Sequence, residues 1–239
     1  MQLKKEISCS NAAELAATDN NAFCLLRRNG FGASDSATLL GVSPFTKLEE
    51  LIVQKQSTVV TPEELEVGLK PQVRKGADLE CIVLDKFIKW FDNPQFQISK
   101  PAEQFKLFDD SGYTGLTINY DALIGNSIPV ECKVCSPFGR KHWDFTKSLV
   151  NNQSPFAAQS YGSAVNIQQK INMQAEMIGI PQYYYTQVQQ QLLGTPSTIA
   201  YLAVIDDKLW EFHVFGINQD EVIQEALIEE AKRCSLWDA

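Results

Sequence analysis

The sequence predicts an α/β protein, with helices packed around a sheet that starts out antiparallel, in a single domain spanning residues 1–239. Three observations carry this. Residues 76–91, GADLECIVLDKFIKWF, repeat apolar side chains at helical spacing. From Phe96 to Val134 the period shortens, and strand-like segments are broken by Pro, Gly and Asp-rich turns. After Asn166 the helical period returns, followed by two further strand-like runs and a last helix.

Taken in order, 11–28 (NAAELAATDNNAFCLLRR) and 47–55 (KLEELIVQK) read as short helices. Between them GFGASDSATLLGVSPF has a flexible Gly32, offers Ser34 or Asp35 as an N-cap, and runs helically through Ala37 and Leu40. Leu79, Val83, Phe87 and Trp90 form the stripe of the 76–91 helix, with Glu80 beside it. FQISK, QFKLFDD, GYTGLTINYDALIG and IPVECKV are the β-segments, and GNSI (125–128) is a hairpin connection. That hairpin sets Asp121 and Glu131 across from each other on one face. Residues 151–182 read as an Asn/Gln/Ser-rich insertion, a loop leading into a helix marked by Ile167, Ile171, Ala175 and Ile178. Another helix follows Pro181, with Tyr184, Val188 and Leu192 on one face and Gly194 as its stop. TIAYLAVID and LWEFHVFGI pair as strands across Asp206-Asp207, and a final helix runs from about Asp220 to Cys234.

A hydrophobic fraction of 44% against 21% charged residues suffices for a complete core. No apolar run approaches ~20 residues, so no membrane span is expected. The start, MQLKKEISCSNAAEL, lacks the apolar stretch of a secretory signal, which points to the cytoplasm. The six cysteines are scattered and expected to be reduced. Cys132 and Cys135 form a lone CxxC with no second pair, which favours structural thiols over a metal site. A net charge of −8 excludes coating nucleic acid by bulk positive charge, but not an enzyme with a local basic track and an acidic, metal-dependent centre. Lys133, Arg140, Lys141 and Lys147, with Arg27, Arg28, Lys47 and Lys55, are candidates to line such a track. His142 reads as a surface or DNA-contacting residue. Trp143 reads as a packing side chain in preference to one that stacks on a terminal base.

The chemistry concentrates in NYDALIGNSIPVECKV (119–134). Glu131 and Lys133 alternate on one strand face, nine residues separate Asp121 from Glu131, and the pattern is D-x9-E-x-K. Two carboxylates from adjacent strands make an oxygen-rich site suited to Mg²⁺ or Mn²⁺. A neighbouring lysine can orient or deprotonate a water and neutralise developing negative charge. The set suits phosphodiester hydrolysis, yet by itself the pattern is weak, and a solvated edge pair is the commoner explanation.

The other motifs change that balance. RRNGFGASDSATLLGVSPF (27–45), GADLE (76–80), D-x9-E-x-K and YYTQVQQQLLGT (184–195) occur in this order. Together they resemble the YqaJ-type viral recombinase family, which includes lambda exonuclease-like enzymes of the PD-(D/E)xK nuclease superfamily. The resemblance covers roughly residues 23–230. It implies a restriction-endonuclease-like core, a central mixed sheet flanked by helices, and a magnesium-dependent 5′→3′ exonuclease acting on double-stranded DNA ends, with Mn²⁺ as a substitute. It also implies that Asp121 and Glu131 bind the metal, with the Cys132 backbone carbonyl, while Glu80 reaches the ion directly or through water. Lys133 matches the catalytic lysine and Gln187 the family's glutamine. Ser34 and an upstream arginine match a 5′-phosphate pocket; Arg27 and Arg28 are both candidates, and spacing favours Arg27. Tyr120 stands where the family has a proline, and Asp109 or Asp110 is a candidate for a further acidic position. Gln189, Gln190 and Gln191 read as solvated or DNA-side residues. Relatives of this kind hand a 3′ single strand to an annealing protein, and ring-shaped homo-oligomers, trimers included, occur among them; a phage or prophage setting in a bacterial host is implied. The competing readings are an endonuclease of the same core, a catalytically silent DNA-binding module, and an iron–sulfur nuclease, for which the cysteines do not form a cluster set.

Overall fold

The structure is a computed structural model and describes residues 3–150 and 166–234. In chain order the elements are β1 (Lys4–Cys9), α1 (Ala12–Thr18), α2 (Asn20–Leu26), α3 (Ser36–Leu39), α4 (Leu48–Gln56), α5 (Pro62–Leu69) and α6 (Pro71–Phe91). Five strands follow: β2 (Ile98–Ser99), β3 (Gln104–Asp109), β4 (Gly112–Ile118), β5 (Ala122–Ile124) and β6 (Ile128–Cys135). Then come α7 (Ile167–Ile178), α8 (Gln182–Leu193), β7 (Ile199–Asp206), β8 (Glu211–Asn218) and α9 (Glu221–Arg233).

The strands form two sheets. One is five-stranded, ordered β2-β5-β6-β7-β8, with only β6 and β7 parallel; the other, β1-β3-β4, is antiparallel. The expected mixed α/β core with flanking helices is therefore present. A parallel pair needs a long crossover, and α7 and α8 supply it between β6 and β7. The insertion expected at 151–182 falls partly outside the described residues; its described part is the α7 helix and the turn into α8.

Alternation along β6 sorts its side chains to two cores. Val130 and Cys132 join Val83, Phe87, Ile124, Ala203 and Val214 on the α6 side. Cys135 joins Ile171, Tyr185, Leu192, Phe215 and Leu227 on the side of α7, α8 and α9. A CxxC on a strand thus sends its two thiols to opposite faces. Burial pushes both thiols up, Cys135 to about 12, and their placement in separate cores keeps the pair from sharing one ion.

Local chemistry explains the element ends. Pro62 and Pro71 occupy first-turn positions of α5 and α6, and Thr61 and Glu64 form a reciprocal capping box. The α6 helix therefore starts five residues before the apolar period at Gly76 announces it. Neither β1 nor α5 carries a period strong enough to be read from sequence. Gly30 is required by close approach: a Cβ there would lie 2.9 Å from the Gly115 carbonyl oxygen. The next residue, Phe31, bridges to β4, its N–H donating to Gly115 O at 2.8 Å and its O accepting from Thr117 N at 2.9 Å. Among the described residues no helix is long and apolar enough to cross a membrane.

Thiol titration checks the face assignment. Exposed Cys81 should react first, Cys132 and Cys135 only on unfolding, and the purified protein should contain neither zinc nor iron; a metal released by alkylating those two cysteines would refute it.

Candidate active site

Seven of the site residues singled out from the sequence line one cavity of about 500 Å³: Arg27, Ser34, Glu80, Asp121, Glu131, Lys133 and Gln187. Lys100 and Gln191 line it too. A larger groove of about 1030 Å³ lies elsewhere, along Phe45, Phe138 and Lys141, and holds none of the acidic pair.

Glu131 lies at the centre, 2% exposed, on the β6 face beneath α8. A buried carboxylate must be paired and hydrogen-bonded. Lys133 and Gln187 both donate to its Oε1, and Gln191 Nε2 donates to Oε2 at 2.6 Å. Gln187 and Gln191 are one helical turn apart on α8, so a single face of that helix grips both oxygens.

The expectation that Gln189, Gln190 and Gln191 are solvated is corrected by the structure: all three are buried. Gln189 bonds Asn218 O and Asp220 N, and Gln190 donates to Phe31 O at 2.8 Å and Thr117 O at 2.9 Å. They tie α8 to β8, to the Phe31 bridge and to β4. The QxxxQ spacing was the available signal for Gln191.

Asp121 immediately precedes β5. The β5–β6 register pairs Ala122 with Val130, so one further step sets Asp121 opposite Glu131. Its Oδ2 accepts from the Cys132 N–H at 2.8 Å. Within a strand the N–H and C=O of one residue face the same neighbour, so the Cys132 carbonyl also projects to the Asp121 side, while its thiol lies in the α6 core. Burial, and then the charge of Glu131, hold the Asp121 carboxyl well above the usual carboxylate range. Burial alone would lower the Lys133 ammonium, but the charges of Glu131 and Asp121 outweigh it and raise it. Lys133 is thus a firm cation here, 5.7 Å from the Tyr184 ring.

Glu80 on α6 pairs with Lys100 at 2.8 Å. Sequence reasoning did not single out Lys100, which sits in the loop after β2 with no motif around it. Among the described residues no three His, Cys, Asp or Glu side chains converge tightly enough to hold an ion. The donor set that remains is two carboxylates, Asp121 and Glu131, with the Cys132 carbonyl: all hard oxygen, and it fits Mg²⁺ or Mn²⁺.

At the other end of the cavity Arg27 Nη2 donates to Ser34 Oγ at 2.9 Å. Arg28 points elsewhere: its guanidinium is 8% exposed and bonds both Glu64 oxygens, at 2.9 and 2.8 Å, and Ser57 O. Arg28 is a structural ion pair, and of the two candidates only Arg27 faces the cavity. Asp35 stands at the N-cap position of α3 but makes no side-chain cap bond to it; its carboxylate turns back to the Gly32 N–H and is buried against Lys55 at 2.6 Å. Asp109 bonds Ser111 and Lys232, away from the cavity. Trp143 packs on Phe145, Tyr184 and Phe215. His142 is exposed. Lys55 is buried and Arg140 bonds Asp206, so neither is free to line a basic track.

A mixed sheet flanked by helices thus carries an Asp, a Glu, a Lys and two glutamines in one cavity. The chain belongs to the YqaJ-like viral recombinase domain family, which it matches over residues 22–197. Its structure is similar to an alkaline exonuclease, LHK-Exo, from Laribacter hongkongensis: TM-score 0.55, 13% identity, 87% of each chain covered. The same enzyme in complex with dAMP is also similar, with a TM-score of 0.53, 13% identity and 89% of each chain covered. These likenesses show the alkaline exonuclease fold. No curated protein sequence matches the chain. Family and fold together support a nuclease or recombinase role.

Two tests follow. Replacing Gln191 by Leu removes one of the donors to Glu131, and Mg²⁺ affinity measured by calorimetry should weaken about tenfold or more; unchanged affinity would mean Gln191 is packing alone. The second concerns pH. A carboxyl whose folded pKa is raised contributes stability that is complete below its unfolded value and is lost as pH rises through the folded one. Metal-free protein should therefore lose thermal stability as pH rises from the ordinary carboxylate range to about 8, and Asp121→Asn should flatten that slope. Parallel slopes for parent and variant would exclude Asp121 as its source.

Proposed function

We propose that this protein is a magnesium-dependent exonuclease that degrades one strand of linear double-stranded DNA from the 5′ end, leaving a 3′ single strand. One observation carries the reading: Asp121, Glu131, Lys133 and Gln187 share a single cavity with Arg27 and Ser34. An enzyme acting on ends needs a hydrolytic centre and a terminal-phosphate contact within reach of each other. Arginine offers a forked set of donors to phosphate oxygens, and the Ser34 hydroxyl adds another.

Asp121, Glu131 and the Cys132 carbonyl would hold Mg²⁺, with Glu80 acting through water because Lys100 engages it. Bound there, Mg²⁺ would supply Lewis-acid polarisation of a phosphoryl oxygen and a lowered pKa for an attacking water. Lys133 orients that water and neutralises negative charge developing on the phosphate. Gln187 keeps Glu131 in place and can share a hydrogen bond with the water or a phosphate oxygen without adding charge. LHK-Exo, whose fold this chain shares, has been solved in complex with dAMP, which is in keeping with a nucleic-acid substrate.

The same reading treats the chain as a single PD-(D/E)xK nuclease domain. It works in the cytoplasm of a bacterial host, encoded by a phage or prophage. It passes its product to a single-strand annealing protein, and it encloses DNA as a ring-shaped homo-oligomer.

End-labelled linear duplex with Mg²⁺ tests the proposal. Label should be lost from the 5′ ends first, and covalently closed circles should stay intact. Lys133→Ala should slow digestion at least about a hundredfold. Cutting of closed circles would favour an endonuclease, and a Lys133→Ala rate equal to the parent's would sink the catalytic assignment.

A further inference from the structure

Lys55 looks from sequence like one more basic residue for DNA. Its position says otherwise. The side chain is 4% exposed, and its ammonium donates to Arg27 O at 2.7 Å, Gly30 O at 2.9 Å and Asp35 Oδ2 at 2.6 Å. An ammonium has three protons, and these three acceptors use them all. The two carbonyls bracket the short turn that carries Arg27 into the Gly30–Phe31 bridge. The carboxylate belongs to the residue after Ser34. One buried amine therefore ties together both ends of the segment that presents Arg27 and Ser34.

Charge gives Lys55 a second role. Asp35 Oδ1 lies 3.6 Å from Arg27 Nη2, close to the 2.9 Å contact of the same nitrogen with Ser34 Oγ. Asp35 and Ser34 thus compete for one guanidinium. Lys55 holds the other Asp35 oxygen, and the Gly32 N–H donates to that oxygen too, at 2.9 Å. With its charge met from behind, Asp35 leaves Arg27 45% exposed toward the cavity. Arg27 and Ser34 form the wall between that cavity and a chamber of about 250 Å³ that Lys55 and Asp35 line from the other side.

We propose that Lys55 is a positioning residue for end recognition: it fixes the Arg27–Ser34 segment and occupies Asp35, so that the arginine stays available to a terminal 5′-phosphate. This rests on the end-directed exonuclease reading above. Without Lys55, Asp35 is a buried carboxylate whose nearest cation is Arg27, and the guanidinium turns to it and away from the substrate.

The readout is the ratio of kcat/KM on 5′-phosphorylated ends to kcat/KM on 5′-hydroxyl ends. Loss of folded protein scales both substrates alike and leaves the ratio unmoved. Lys55→Met should lower the parent's ratio about tenfold, the scale of one lost charge-assisted contact. The double variant Asp35→Asn/Lys55→Met removes the stranded carboxylate and serves where the single variant does not fold; having lost the carbonyl ties, it should also fall below the parent. A parent preference that persists in either folded variant overturns the inference alone. A parent ratio of one overturns the terminal-phosphate reading and this inference with it.

Discussion

A charged carboxylate at the centre of a β-sheet constrains everything around it. Glu131 is 2% exposed, and a buried charge stripped of its partners costs about 3–5 kcal/mol. The chain meets that cost with one cation from the same strand and two amides from a helix. The helix must then lie directly over β6, in one rotation and one register. That requirement fixes how α8 crosses the sheet and why a polar run, QVQQQ, occupies a buried helix that would otherwise be apolar. Each of those glutamines donates its amide N–H to a specific backbone or carboxylate oxygen, and three of the four, Gln189, Gln190 and Gln191, are buried.

The same helix links the two ends of the cavity. Gln190 holds the Phe31 and Thr117 carbonyls, and Phe31 follows the turn from Arg27 to Gly30. The segment carrying Arg27 and Ser34 is thus anchored to the helix that orients Glu131. A shift of α8 would disturb the acidic centre and the arginine together, which is the rigidity expected of a preorganised site.

What the sequence made legible follows from the range of the forces involved. The period of α6, the hairpin setting Asp121 opposite Glu131, the Pro181 start of α8 and the Asp220 cap of α9 are set by neighbours within a few residues, and pattern reveals them. The choice between Arg27 and Arg28 is different. It depends on Glu64, thirty-six residues away, taking Arg28 into a buried pair. Lys100 meets Glu80 across twenty residues, and Gln191 meets Glu131 across sixty. Reading Gln189–Gln191 as solvated applied a sound average, since glutamines are mostly exposed. It failed because the buried acceptors they satisfy lie on other elements.

Long-range pairing also sets where a chain of net charge −8 carries its charge. Many of its cations are spent internally: Arg28 on Glu64, Lys55 on Asp35, Arg140 on Asp206, Lys232 on Asp109. The charged side chains lining the cavity are Arg27, Lys100 and Lys133 against Glu80, Asp121 and Glu131, three of each sign. The bulk charge is therefore absent from the place where it would matter. Within the cavity the field is close to balanced, and any cation joining the Asp121–Glu131 pair tips it positive, the sign a phosphate needs. Net charge describes the surface at a distance; at contact, which side chains face the cavity and which are already paired decides attraction or repulsion.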